Sequence, residues 1–98
     1  MAYAITHFFP GATQEQYDKA VDAVHGGPGA ENLPEGQLVH VAGATEGGWT
    51  IIAVHDSKES WERFRDDVLL PKLGEGIEGG PEGPPDEKTF ELHSFWAR

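Results

Sequence analysis

The chain has 98 residues, carries 17 Asp and Glu against 7 Lys and Arg for a formal net charge of −10, and contains no cysteine. Its length suits one domain spanning residues 1–98. The acidic balance argues against a nucleic-acid partner, because phosphates would be repelled. The missing thiols exclude disulfides, thiolate metal sites and a cysteine nucleophile. No apolar run approaches the roughly 20 residues of a membrane span, and the N-terminus lacks the basic-then-apolar pattern of a secretion signal. No membrane partner and a cytoplasmic location are therefore expected.

Tyr3–Phe9 (YAITHFF) reads as a first strand, with Tyr3, Ile5, His7 and Phe9 on one face, and Pro10-Gly11 stops it. Thr13 followed by Gln16 has the spacing of a capping box. The helix it opens, about Gln14 to Val24, aligns Tyr17, Ala20, Val21 and Val24 along one core-facing stripe. His25 and the glycines that follow end this helix, and a polar connection leads to Leu33-Pro34-Glu35-Gly36.

Gln37–Gly43 and Trp49–Asp56 are the two most strand-like runs, and the Gly47-Gly48 pair between them predicts an antiparallel hairpin. A four-residue loop would set Gly43 opposite Gly48. Alternation then gives one face of Val39, Val41, Ile52 and Val54, which the β-branched side chains suit to packing under helices. The other face carries Leu38, His40, Ala42, Trp49, Ile51, Ala53 and His55. Ser57 caps a second helix whose buried stripe is Trp61, Phe64, Val68 and Leu69, and Pro71 is expected to end or kink it near Leu70. Gly74–Pro85, rich in Gly, Pro and Glu, reads as a loop. Lys88–Ala97 reads as the last strand.

The order β-α-β-β-α-β predicts an α+β, ferredoxin-like fold: a four-stranded antiparallel sheet with both helices on one face. The face with His40 and Trp49 would then be uncovered, and an apolar surface of that kind is a partner or ligand site. A homodimer joined through it is expected. His7 with Pro10-Gly11 and Tyr17, Leu33-Pro34-x-Gly36-Gln37, His40-x-Ala42-Gly43, Gly48-Trp49, and Asp56-Ser57 leading to Trp61-x-x-Phe64 and Leu70-Pro71 carry a resemblance over nearly the whole chain. The chain resembles the dimeric α/β-barrel superfamily, in particular small proteins similar to antibiotic-biosynthesis monooxygenases. The resemblance implies sheet-to-sheet pairing and a reaction such as cofactor-free oxygenation, cyclisation or isomerisation. The Asn-Trp-His set of haem-degrading members has no match here, so no cofactor is expected.

His40 is the leading candidate for catalysis, because an imidazole in an apolar enclosure stays neutral and can accept a proton. His7 is the second, with Tyr3 able to hydrogen-bond to either. Trp49, Ile51, Leu38 and Phe9, with Tyr3, would shape a pocket for a largely apolar, aromatic or polyketide-like molecule. His25 is explained by its place in a helix C-terminal turn, and His55 reads as a surface or dimer contact. The five histidines include no H-x-H or H-x-x-x-H pair, so no metal is expected. Glycine patterns for nucleotide binding are absent. The competing reading is a non-catalytic dimeric small-ligand-binding or stress-associated protein whose interior is packed solid. A cavity of a few hundred cubic ångströms lined by imidazoles would favour the enzyme.

Overall fold

The computed structural model describes residues 1–98. Strand β1 is Tyr3–Pro10, helix α1 Gln14–His25, β2 Gln37–Thr45, β3 Gly48–His55, α2 Lys58–Phe64, α3 Leu70–Glu75 and β4 Asp86–Glu91. The sheet order is β2-β3-β1-β4, and every neighbouring pair is antiparallel. This is the expected ferredoxin-like arrangement. No helix is long and apolar enough to cross a membrane.

The local signals act as read. The Thr13 hydroxyl accepts from the Gln16 amide while the Gln16 side chain accepts from the Thr13 amide, closing the capping box of α1. Ser57 caps α2 by accepting from the Ser60 amide. The hairpin between β2 and β3 is tighter than expected. Thr45 pairs with Gly48, so the loop is only Glu46-Gly47, and Gly47 takes φ 84°, a conformation that side chains with a Cβ resist.

The second helical stretch is interrupted just before Pro71, as expected, and resumes as a short piece that runs through it. Between α2 and α3 the backbone forms a π-helical turn, Arg65–Leu69, in which the Leu70 amide reaches back to the Arg65 carbonyl. A wider turn relieves the crowding that a proline ring imposes on the carbonyl four residues before it. The last strand is shorter than its sequence suggests: β4 covers Asp86–Glu91, and residues 92–98 add no strand. Trp96, expected on that strand, is 92 % exposed.

The register defines the two faces of the sheet, since directly opposed residues point the same way. Tyr3, His55 and Gln37 form one row, Ile5, Ala53 and His40 the next, and His7, Ile51 and Ala42 the third. These rows lie beneath the helices. Tyr3 and Ile5 make the core with Trp61 and Phe64 of α2, joined by Val24 of α1, Val68 and Leu69. The opposite face carries Val39, Val41, Ile52, Val54 and Phe90.

The predicted facing is therefore inverted. Helices cover the histidine face, and the β-branched face points away from them, with Val41, Ile52 and Phe90 exposed and Val54 buried. Period-two alternation sorts side chains into two sets but does not say which set is roofed. A homodimer through the His40 and Trp49 face is overturned by the same geometry, because that face already has its own chain over it.

Candidate functional site

The site begins with α1. Its core-facing stripe puts Tyr17, Val21 and Val24 over β2 and β3, and its final residue, His25, at the same level as Phe64 of α2. The Tyr17 hydroxyl lies 2.6 Å from His40 Nε2. The His25 ring stands edge-on to His40 at 5.5 Å and stacks on Phe64 at 5.7 Å. Trp49 packs against Tyr17 with ring centres 5.3 Å apart.

Two spaces flank this cluster and share part of their lining. An outer cleft of about 640 Å³ opens between α1, the Gly27–Ala30 turn and the start of β2. An inner cavity of about 80 Å³ lies between the helices and the sheet, bounded by Ile5, His7, Gln37, Ile51, Trp61 and Phe64. Tyr17, Val21, His25 and His40 wall both spaces. A molecule entering from the cleft would meet the Tyr17–His40 pair first.

Electrostatics favour a neutral imidazole there. Burial lowers the His40 pKa, and His25 beside it lowers it further. Burial also lowers that of His25, against an opposing backbone hydrogen bond at Asn32. Burial raises the Tyr17 phenol, with the Asp18 carboxylate adding to it. The Tyr17 O–H therefore donates and His40 Nε2 accepts.

A second polar system sits deeper. His55 is fully buried, with Nε2 3.0 Å from the Gln37 side-chain nitrogen and Nδ1 3.1 Å from Ser60 Oγ. The expectation of a surface or dimer contact for His55 is thus corrected. It ends β3 on the roofed face, where Trp61 and Phe64 close over it. Burial lowers its pKa against the opposing charge of Asp56.

The remaining expected site residues are dispersed. His7 lines the inner cavity but pairs with Glu87 of β4 at 2.8 Å, not with His40. Tyr3 belongs to the core cluster, and Tyr17 supplies the hydroxyl expected from it. Ile51 lines the inner cavity. Leu38 is the extra residue of a β-bulge, 53 % exposed on the wall of the outer cleft. Phe9 is half-buried against the edge of His7. Trp49 contacts Tyr17, and its indole N–H is buried without a partner within the chain.

Sequence reasoning missed Tyr17, His25, Gln37 and His55. Tyr17 could have been found as the one hydroxyl on the apolar stripe of α1. Gln37 could not, because simple alternation sets it beside Val39. The bulge at Leu38 turns it to the helix side. No group of three or more His, Cys, Asp or Glu side chains converges as a metal site would require.

No family model matches the chain, and no curated protein matches it. Solved structures do. Rv0793 from Mycobacterium tuberculosis superposes with a TM-score of 0.67 at 10% identity, covering 98% of both chains. A protein named as an antibiotic biosynthesis monooxygenase from Chloroflexus aurantiacus J-10-fl gives 0.66 at 15% identity, over 99% of this chain and 98% of that one. A monooxygenase from the gene ActVA-Orf6 of Streptomyces coelicolor, in complex with Nanaomycin D, gives 0.58 at 19% identity, over 99% and 91%. The resemblance therefore stands: two of these structural neighbours are named as monooxygenases, one of them of antibiotic biosynthesis. At these identities the likeness is one of fold.

Proposed function

We propose that this chain acts as one domain and is a small-molecule enzyme. It would take a largely apolar, aromatic or polyketide-like substrate into the cleft beside α1 and remove a proton from it. The observation that carries this reading is the Tyr17–His40 hydrogen bond of 2.6 Å on the shared wall of the two cavities. The substrate passes its proton to the Tyr17 oxygen as the Tyr17 proton moves to His40 Nε2, leaving a substrate anion and an imidazolium. Cofactor-free oxygenation and acid/base cyclisation or isomerisation share this first step. In the oxygenation, an acidic CH₂ and O₂ become C=O and H₂O, dioxygen taking four electrons from the carbon. A bound Nanaomycin D in one structural neighbour supports a polycyclic aromatic ligand class.

The test uses 1,8-dihydroxyanthrone, whose C10 methylene is acidic. Deuterium exchange at C10 is followed without oxygen, and oxygen uptake is followed in air. His40→Ala and Tyr17→Phe are expected to slow exchange by about 10²–10⁴-fold while remaining folded. Exchange at the wild-type rate in both variants would reject the assignment.

We also propose that the chain forms a homodimer, now through the open face of Val39, Val41, Ile52 and Phe90. Val41 is 51 % and Phe90 52 % exposed on that face. The competing reading, a non-catalytic binding protein with a solid interior, is disfavoured by the open cleft.

A further inference from the structure

The Gln37 amide is 8 % exposed, borders the inner cavity, and has one end without a partner within the chain, Oε1. Its other end is fixed by a chain of hydrogen bonds whose direction can be traced. Ser60 Oγ has a single proton, and its neighbours at the base of α2 are the Ser57 carbonyl at 3.2 Å and the Asp56 carboxylate, which Ser60 holds below its usual pKa range. In this geometry Ser60 Oγ donates that proton to the Ser57 carbonyl. Ser60 Oγ must then accept from His55 Nδ1–H at 3.1 Å. That tautomer leaves His55 Nε2 as a bare acceptor, and only the amide NH₂ of Gln37 can satisfy it at 3.0 Å. Turning the amide over would set oxygen against a nitrogen lone pair. Gln37 Oε1 is therefore committed as a buried acceptor.

We infer that Gln37 is a specificity-determining residue whose side-chain oxygen receives a hydroxyl of the bound substrate, selecting phenolic or enolic ligands over their ethers. His55 and Ser60 are positioning residues that hold the amide in its accepting orientation. The inner cavity of about 80 Å³ has room for a hydroxyl and the few atoms that carry it. The ring system extends past Tyr17 and His40 into the outer cleft. A buried acceptor left unpaired penalises any ligand that brings no donor, which makes the selection steep. The inference rests on the proposed use of the cleft and adds the chemical class of substrate to it.

The experiment is calorimetric titration of the full chain with 1-naphthol and 1-methoxynaphthalene, which differ in the donor. The wild type is expected to bind the naphthol at least about tenfold more tightly, and Gln37→Met to bind the two within about threefold. Should Gln37→Met fail to fold, Ser60→Ala decides. Releasing the His55 tautomer lets the amide turn, and the preference shifts toward the ether, which a purely structural role for Ser60 would not produce. Equal binding of both probes to the wild type overturns the Gln37 assignment while leaving the cleft reading intact. A naphthol preference that survives Gln37→Met but disappears in His40→Ala also overturns it, moving the hydroxyl to the Tyr17–His40 pair. If neither probe binds the wild type, the cleft reading fails and the Gln37 assignment fails with it.

Discussion

Three of the five histidines are held neutral by the same cause. His25, His40 and His55 all lose hydration beneath the helices, and desolvation is the leading reason each is depressed from 6.5. In the unfolded chain these imidazoles recover their ordinary value, so below about pH 6.5 the unfolded state takes up protons that the folded state refuses. Stability is therefore complete above the unfolded value and falls as pH drops through the depressed folded values. The melting temperature is expected to decline between pH 7.5 and pH 5, and His55→Gln is expected to flatten that decline. Thermal melts across this range check it, and a melting temperature independent of pH would contradict it. The same depression serves the chemistry, because His40 is already unprotonated at neutral pH and an acid limb in the rate would appear only below 6.5.

At the scale of the elements, the hairpin shows why some of the architecture was legible and some was not. Helix starts were readable because a cap is local: Thr13 accepts from the Gln16 amide and Ser57 from the Ser60 amide, each within one turn. Strand pairing was readable from the Gly-Gly punctuation and the Val and Ile runs. The turn length was not, since both glycines permit several loops. Gly48 in fact belongs to the strand, and its reason is a close approach that the sequence cannot display. A Cβ there would lie 2.2 Å from the Phe9 carbonyl oxygen and 3.0 Å from the Gly11 amide nitrogen, both backbone atoms that cannot swing aside. Gly48→Ala is thus expected to cost about 1–3 kcal/mol of stability by forcing β1 and β3 apart. A denaturant titration checks it, and an unchanged midpoint would refute the contact. The site depended on equally non-local facts. His40 was identifiable as a residue, but its partner Tyr17 is 23 positions away on α1, and Gln37 is brought inward only by the bulge at Leu38.

For the whole molecule, the inverted facing separates the catalytic space from the surface available for association. Both cavities lie between the sheet and its own helices, so one chain contains every side chain the proposed proton transfer uses. The open face is a different surface. Val41 and Ile52 are opposed across β2 and β3, and Phe90 lies on β4 beyond β1, so exposed apolar side chains stand on three of the four strands of this face. Exposed apolar surface is costly in water, and pairing two such sheets would remove it from solvent on both copies at once. A two-fold arrangement places the same patch on each partner, so one charge introduced per chain appears twice in the interface. Val41→Glu with Ile52→Glu should therefore put four carboxylates into an apolar contact and release monomers, which light scattering at micromolar concentration would detect. The monomeric variant is expected to keep the cleft and to bind 1-naphthol within about threefold of the wild type, because neither substitution touches the helix side of the sheet. A wild-type chain that is monomeric under the same conditions would remove the dimer from the account. A dissociated variant that no longer binds would mean that the partner supplies part of the site.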